Sequence, residues 1–293
     1  MDRNAKRIIC RTNIKGCNVD YINNNAKEEN VKKKKSYLVF VLVLICLAFA
    51  GMGTALAAGP SPEDREELYR KVEELREDGE YDAAYTIVKK LIDENSESNK
   101  YQIAYIDVIL EQSRIMKDMN NPGWKLKAKE AGGKIKALYS VNTSNADYFL
   151  VYAKYSWIVE ARREKHITGA LEKAFHFKPN YVNNHIVKGD IYFGLAKSSS
   201  ALEQQPADTT SLTGGESVQT KHMLAMTAKS AYNSALATPD INNKKKAYVL
   251  LKLGDLQDQI LGDKTEARRA WEKAVALSPG NSIGKAASER LKK

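Results

Sequence analysis

Past Ala57 the chain contains no cysteine: Cys10, Cys17 and Cys46 all precede it. No disulfide, thiolate ligand or thiol nucleophile can belong to the long remainder. Glycine and proline are scarce, 17 and 7 in 293 residues, which excludes a collagen-like or low-complexity chain and leaves long stretches free of helix breakers. Runs of strict apolar–polar alternation rich in Val, Ile and Thr are missing as well, so exposed β-strands are not expected. No GxSxG, HExxH or phosphate-binding glycine loop occurs, and Thr213-Gly214-Gly215 lacks the lysine that would follow in such a loop. His166, His176, His185 and His222 form no i,i+4 pair and have no cysteine nearby. The reading is therefore not an enzyme, with no metal and no cofactor.

What is present begins with a membrane-targeting signal. Lys32 to Lys35 precede Tyr37 to Ala58, 22 residues without a charge. The run ends in Ala55-Leu56-Ala57, the A-x-A pattern of a signal peptide cleaved after Ala57. Its length also suffices to cross a bilayer of about 30 Å, so a transmembrane anchor stays open. Either way the lysines hold the amino side in the cytoplasm and send the rest across the membrane, giving an exported protein that is periplasmic or anchored with its C-terminal part outside the cytoplasm. Residues 1–36 read as a basic, disordered n-region, and a start near Val31 would leave a more ordinary signal. These residues carry ten Lys/Arg against four Asp/Glu, so they own +6 of the net +10. Much of the basic balance thus belongs to targeting, and nucleic acid is not an expected partner.

From Pro62 onward apolar residues recur at three- and four-residue spacing, which predicts an all-α body over 62–293. The body repeats itself: 147–179 aligns on 247–279 without a gap, sharing Tyr148/Tyr248, Leu150/Leu250, Ala170/Ala270, Glu172/Glu272, Lys173/Lys273, Ala174/Ala274 and Pro179/Pro279. In 247–279 the framework is Leu250, Leu253-Gly254, Gly262-Asp263, Ala267, Trp271, Ala274 and Pro279. Small alanines let a second helix lie close to the first, Trp271 fills the space between hairpins, and Pro279 ends the helix.

This pattern resembles the tetratricopeptide repeat family, with one residue inserted between Gly254 and Ala267. Weaker units follow at 64–95, with Gly79, Tyr81 and Ala84, at 100–141, broken at Asn120-Asn121-Pro122-Gly123, and after Pro179, with Gly189, Tyr192, Ala228, Tyr232 and Ala235. The resemblance implies a right-handed superhelix of about five hairpins, closed by a capping helix over 281–292 that presents Ile283, Ala287 and Leu291. The polar stretch 198–217 reads as an insertion within the fourth unit, either disordered or a flap.

The resemblance also places a concave groove on the inner helices, with Tyr148, Val151 and Tyr155, then Asn183, Ile186 and Asp190, then Tyr248, Leu251 and Asp255 on its surface. A subclass of the family clamps a partner's C-terminal carboxylate with Lys, Arg and Asn, whereas Val151, Tyr155, Ile186 and Asp190 stand at the corresponding places here. The implied function is a non-catalytic scaffold in the envelope that binds another protein or a peptide, neutral or partly basic, with membrane contact through 37–58 if the signal is retained. Two alternatives stand beside it. A ligand-binding accessory subunit of a transporter predicts a closed apolar pocket, and an envelope enzyme predicts a buried cluster of shifted acids or histidines.

Overall fold

The computed structural model describes residues 61–160, 164–202, 216–239 and 241–292. The n-region, the apolar run 37–58 and the interior of the 198–217 insertion lie outside them. The described residues fall in the unit Pro60–Lys293. Among them are eleven α-helices and no strand: α1 (Pro62–Glu77), α2 (Tyr81–Glu94), α3 (Asn99–Asp118), α4 (Trp124–Leu138), α5 (Ala146–Glu160), α6 (Glu164–Phe177), α7 (Val182–Leu202), α8 (Glu216–Leu236), α9 (Asn243–Leu256), α10 (Lys264–Leu277) and α11 (Ser282–Leu291). None is long and apolar enough to cross a membrane.

The helix starts are written locally. Ser61 and Asp64 form a capping box with Pro62 in the first turn of α1. Asn242, Asp263 and Asn281 cap α9, α10 and α11 by accepting from backbone N–H groups at 2.8 to 3.0 Å. The turns use left-handed residues at Gly79 (φ 76°), Asn120 (φ 56°) and Gly262 (φ 73°), the conformation that glycine adopts without steric cost.

Consecutive helices pack as five hairpins, α1–α2 to α9–α10, with α11 against α10 and α9. The second helix of each carries buried small residues: Ala84, Ala131, Ala170 and Ala174, Ala228 and Ala235, Ala267 and Ala274. Trp271 is buried against Gly254, where an added Cβ would come within 2.3 Å of its Nε1, so the indole lies directly on the α9 backbone. The inserted residue of this hairpin is absorbed as a π-helical turn over Gln257–Leu261, closed by Gly262. The ends of the 198–217 stretch are helical rather than loop. The α7 helix continues to Leu202, with the Ser198 and Ser199 hydroxyls bonding back to the Gly194 and Leu195 carbonyls at 3.0 Å, and α8 begins at Glu216.

The first helix of each hairpin faces inward, and this inner row does not stay open. Lys244, at the start of α9, donates to the Glu74 carbonyl at 3.0 Å and pairs with Asp78 at 2.8 Å. Lys245 lies 3.5 Å from Glu77, and the Ser282 hydroxyl donates to the Asp78 carbonyl at 2.6 Å. The first hairpin thus meets the fifth and the cap, and the inner helices close around an axis.

Candidate functional site

The axis holds a cavity of about 420 Å³. Each inner helix offers it residues at i, i+3 or i+4 and i+7 or i+8, one stripe of a 3.6-residue helix. These include Arg76 from α1, Asp107 and Glu111 from α3, Val151 and Lys154 from α5, Asn183 and Asp190 from α7, Tyr248 and Lys252 from α9, and Ile283 from α11.

One half of the wall is internally neutralised. Asp107 accepts from the Arg76 guanidinium and from Lys154 at 2.7 Å, while Glu111 accepts from Lys154 and Arg114, each at 2.9 Å. This network ties α1, α3 and α5 together. Burial alone would raise both acids, but Arg76 and Lys154 on Asp107, and Lys154 and Arg114 on Glu111, outweigh it and hold both below the ordinary carboxylate range.

The other half is built differently. Gly189 brings the Tyr232 ring of α8 against the α7 backbone, since a Cβ there would come within 2.4 Å of the ring. That approach carries the Tyr232 hydroxyl to Asp190 Oδ1 at 2.7 Å, and the Tyr248 hydroxyl donates to Oδ2 at 2.9 Å. Among the described residues, Asp190 has two tyrosine donors and no cation within ion-pair distance. Burial pushes its carboxyl above the usual value, only partly offset by Lys252 and the Tyr232 hydroxyl. Two turns earlier on the same helix, Asn183 donates to the Tyr181 hydroxyl at 2.6 Å.

The structure brings Val151, Asn183, Asp190 and Tyr248 together on the cavity wall, with Ile186 and Leu251 between them. It takes three residues of the expected groove elsewhere. Tyr148 is 1% exposed, donates to the Ile135 carbonyl at 2.8 Å, and burial pushes its hydroxyl up to about 12. Tyr155 packs on Gly132 of α4, where a Cβ would come within 2.6 Å of its hydroxyl. Asp255 is buried under the cap and accepts from Arg290 at 3.0 Å. The cause for α5 is a rotation: its inner stripe is Asp147, Leu150, Val151 and Lys154, so Tyr148 and Tyr155 sit about 100° away on the side that meets α4.

The sequence reading missed Asp107, Glu111 and Lys154. A signal was available, because Asp107 is the lone charge in YQIAYIDVIL and Lys154 the lone charge in YFLVYAKYSWIV, two apolar segments whose odd residues have opposite sign. Among the described residues no group of three or more His, Cys, Asp or Glu is placed to hold a metal ion.

No family model matches the chain, and no curated protein matches it by sequence. Among solved structures, TTC0263, a thermophilic TPR protein of Thermus thermophilus, superposes with a TM-score of 0.52 at 17% identity, covering 78% of this chain and all of that one. Two structures of MamA align at TM-scores of 0.33 and 0.31 with 13% and 15% identity, over 75% and 71% of this chain and 94% of theirs, a likeness too partial to bear on it. The fold is that of a tetratricopeptide-repeat solenoid.

Proposed function

We propose that this chain is a non-catalytic binding scaffold, exported across the cytoplasmic membrane, whose axial cavity takes a peptide or a short segment of another protein. The observation that carries the reading is Asp190, a carboxylate fixed by two tyrosines at the wall of a cavity that every inner helix lines. A polar group held in one position by its hydrogen bonds is what a binding pocket uses to orient what it takes.

The Asp107–Glu111 cluster has the makeup expected of an enzyme, but the pairing argues otherwise. Two acids held ionised by Arg76, Lys154 and Arg114 have no proton to give at neutral pH and little basicity with which to take one. They act as ionic ties between helices.

A photo-crosslinker in place of Asn183, compared with one in place of the exposed Glu272 on α10, tests the cavity in the full chain. A polypeptide adduct formed at 183 and not at 272 is the expected result; adducts at 272 alone move binding to the outer surface. Export is tested by fusing alkaline phosphatase after Ser61, which is expected to be active. The closure of the first hairpin on α9 and α11 favours a second reading, in which the cavity encloses a small molecule as the accessory subunit of a transporter. Native mass spectrometry of the chain purified from membranes would then show a bound small mass.

A further inference from the structure

Twelve charged side chains line the axial cavity, and among the described residues ten of them are consumed by ion pairs: Glu73 and Asp107 with Arg76, Asp107 and Glu111 with Lys154, Asp78 with Lys244, Glu77 with Lys245, and Asp147 with Lys178 outside the wall. The two left over are Asp190 and Lys252. They stand on the neighbouring inner helices α7 and α9 with Tyr248 common to both: its hydroxyl donates to Asp190 at 2.9 Å, and Lys252 Nζ lies 5.3 Å from its ring centre. Ile186, Val187 and Leu251 of the same helices add apolar surface.

We propose that this wall binds a small zwitterion with an apolar body, of the class of a free amino acid or dipeptide, its ammonium group on Asp190 and its carboxylate on Lys252. The proposal rests on the cavity being the binding site and takes the second reading of it, an enclosed small molecule, whose chemistry it names. A buried ion without a counter-ion is costly, and both oxygens of Asp190 keep a lone pair beyond the one each tyrosine uses. An ammonium group supplies the missing cation. A ligand with positive charge alone would meet Lys252 unbalanced, and a polyanion such as a nucleotide would meet seven acids against five bases. The volume lies at the low end of ligand pockets, which suits one or two residues.

Calorimetric titration of the full-length chain with leucine, Leu-Leu, N-acetyl-Leu-Leu and Leu-Leu amide tests it. Leucine or Leu-Leu should bind, and the blocked dipeptides should each bind Leu-Leu's site at least about tenfold more weakly, because acetylation leaves Asp190 and amidation leaves Lys252 without its counter-charge. Asp190→Asn should erase the penalty for acetylation while keeping that for amidation, and Lys252→Met should do the reverse. Blocked and free dipeptides of equal affinity, or no binding of either free probe at millimolar concentration, overturn the proposal. Val151→Trp, with helix content checked, narrows the cavity and separates the premise from the proposal. If it abolishes crosslinking from position 183 while no free probe binds the wild type, the cavity stands and the zwitterion falls. If crosslinking persists in Val151→Trp, the cavity itself is not the site.

Discussion

Lys154 is the residue on which the inner face depends most, since its ammonium group is shared by two acids that are themselves almost wholly buried. Removing one member of such a set leaves uncompensated charge, so Lys154→Met should cost about 3–5 kcal/mol in urea denaturation. A loss below about 1 kcal/mol would mean that water solvates Asp107 and Glu111. Acid should act in the same direction. Their pKa values are lowered on folding, so the stability they contribute is complete above the unfolded carboxylate values near 4 and is lost as pH falls through the native ones. Asp190 has the opposite sign. Its pKa is raised by burial, so the native state binds the proton more tightly and this residue weighs against folding increasingly as pH rises from about 4 to its native pKa. Asp190→Asn should therefore gain stability relative to the wild type between pH 4 and pH 7, as compared by urea melts at the two values. Trp271→Ala removes a buried indole that no rearrangement of Gly254 can replace, and a loss of roughly 3–5 kcal/mol is expected in the same assay.

At the scale of the element, the fifth hairpin shows how a repeat tolerates an extra residue. The α9 helix cannot lengthen by a fraction of a turn without moving Asp263 away from its capping position on α10. The surplus is taken up as a π-turn over Gln257–Leu261, after which Gly262 reverses the chain in the left-handed region. Gly262→Ala should cost about 1 kcal/mol through its positive φ alone, since nothing lies within 4 Å of an added Cβ. Thermal melts comparing it with Gly280→Ala, another open site without positive φ, would isolate that backbone contribution. The same logic explains the alanine positions: a hairpin whose second helix presents Ala at its contact stripe can approach its partner closely, and larger residues are then confined to the space between hairpins.

At the scale of the described unit, polar contacts join residues far apart in sequence. Lys244 and Lys245 of α9 hold Glu74, Glu77 and Asp78 at the end of the first hairpin. Ion pairs of this partly exposed kind contribute little individually and weaken with salt. The double substitution Lys244→Ala, Lys245→Ala should leave helix content unchanged while loosening the closure. The expected readouts are a larger radius of gyration by small-angle scattering and faster amide exchange at the end of α1 and the start of α9. An unchanged radius and exchange pattern would mean that Ser282 and apolar packing suffice to hold the ends together.

The repeat architecture, the hairpin pairing and the capping helix were legible in the residues because they depend on local facts: the 3.6-residue period, turn glycines at 79 and 262, the helix-ending Pro279, and small residues where helices cross. Of the expected groove, Val151, Asn183, Asp190 and Tyr248 reached the cavity, because a family register fixes a face to within one residue. That one-residue error is a rotation of about 100°, enough to send Tyr148 and Tyr155 toward α4 instead. Tertiary structure alone decided the rest. Whether an acid such as Asp107 is paired, whether Asp190 is left without a cation, and whether the last inner helix reaches the first all depend on small angles added over five hairpins. No local stretch of sequence carries that sum.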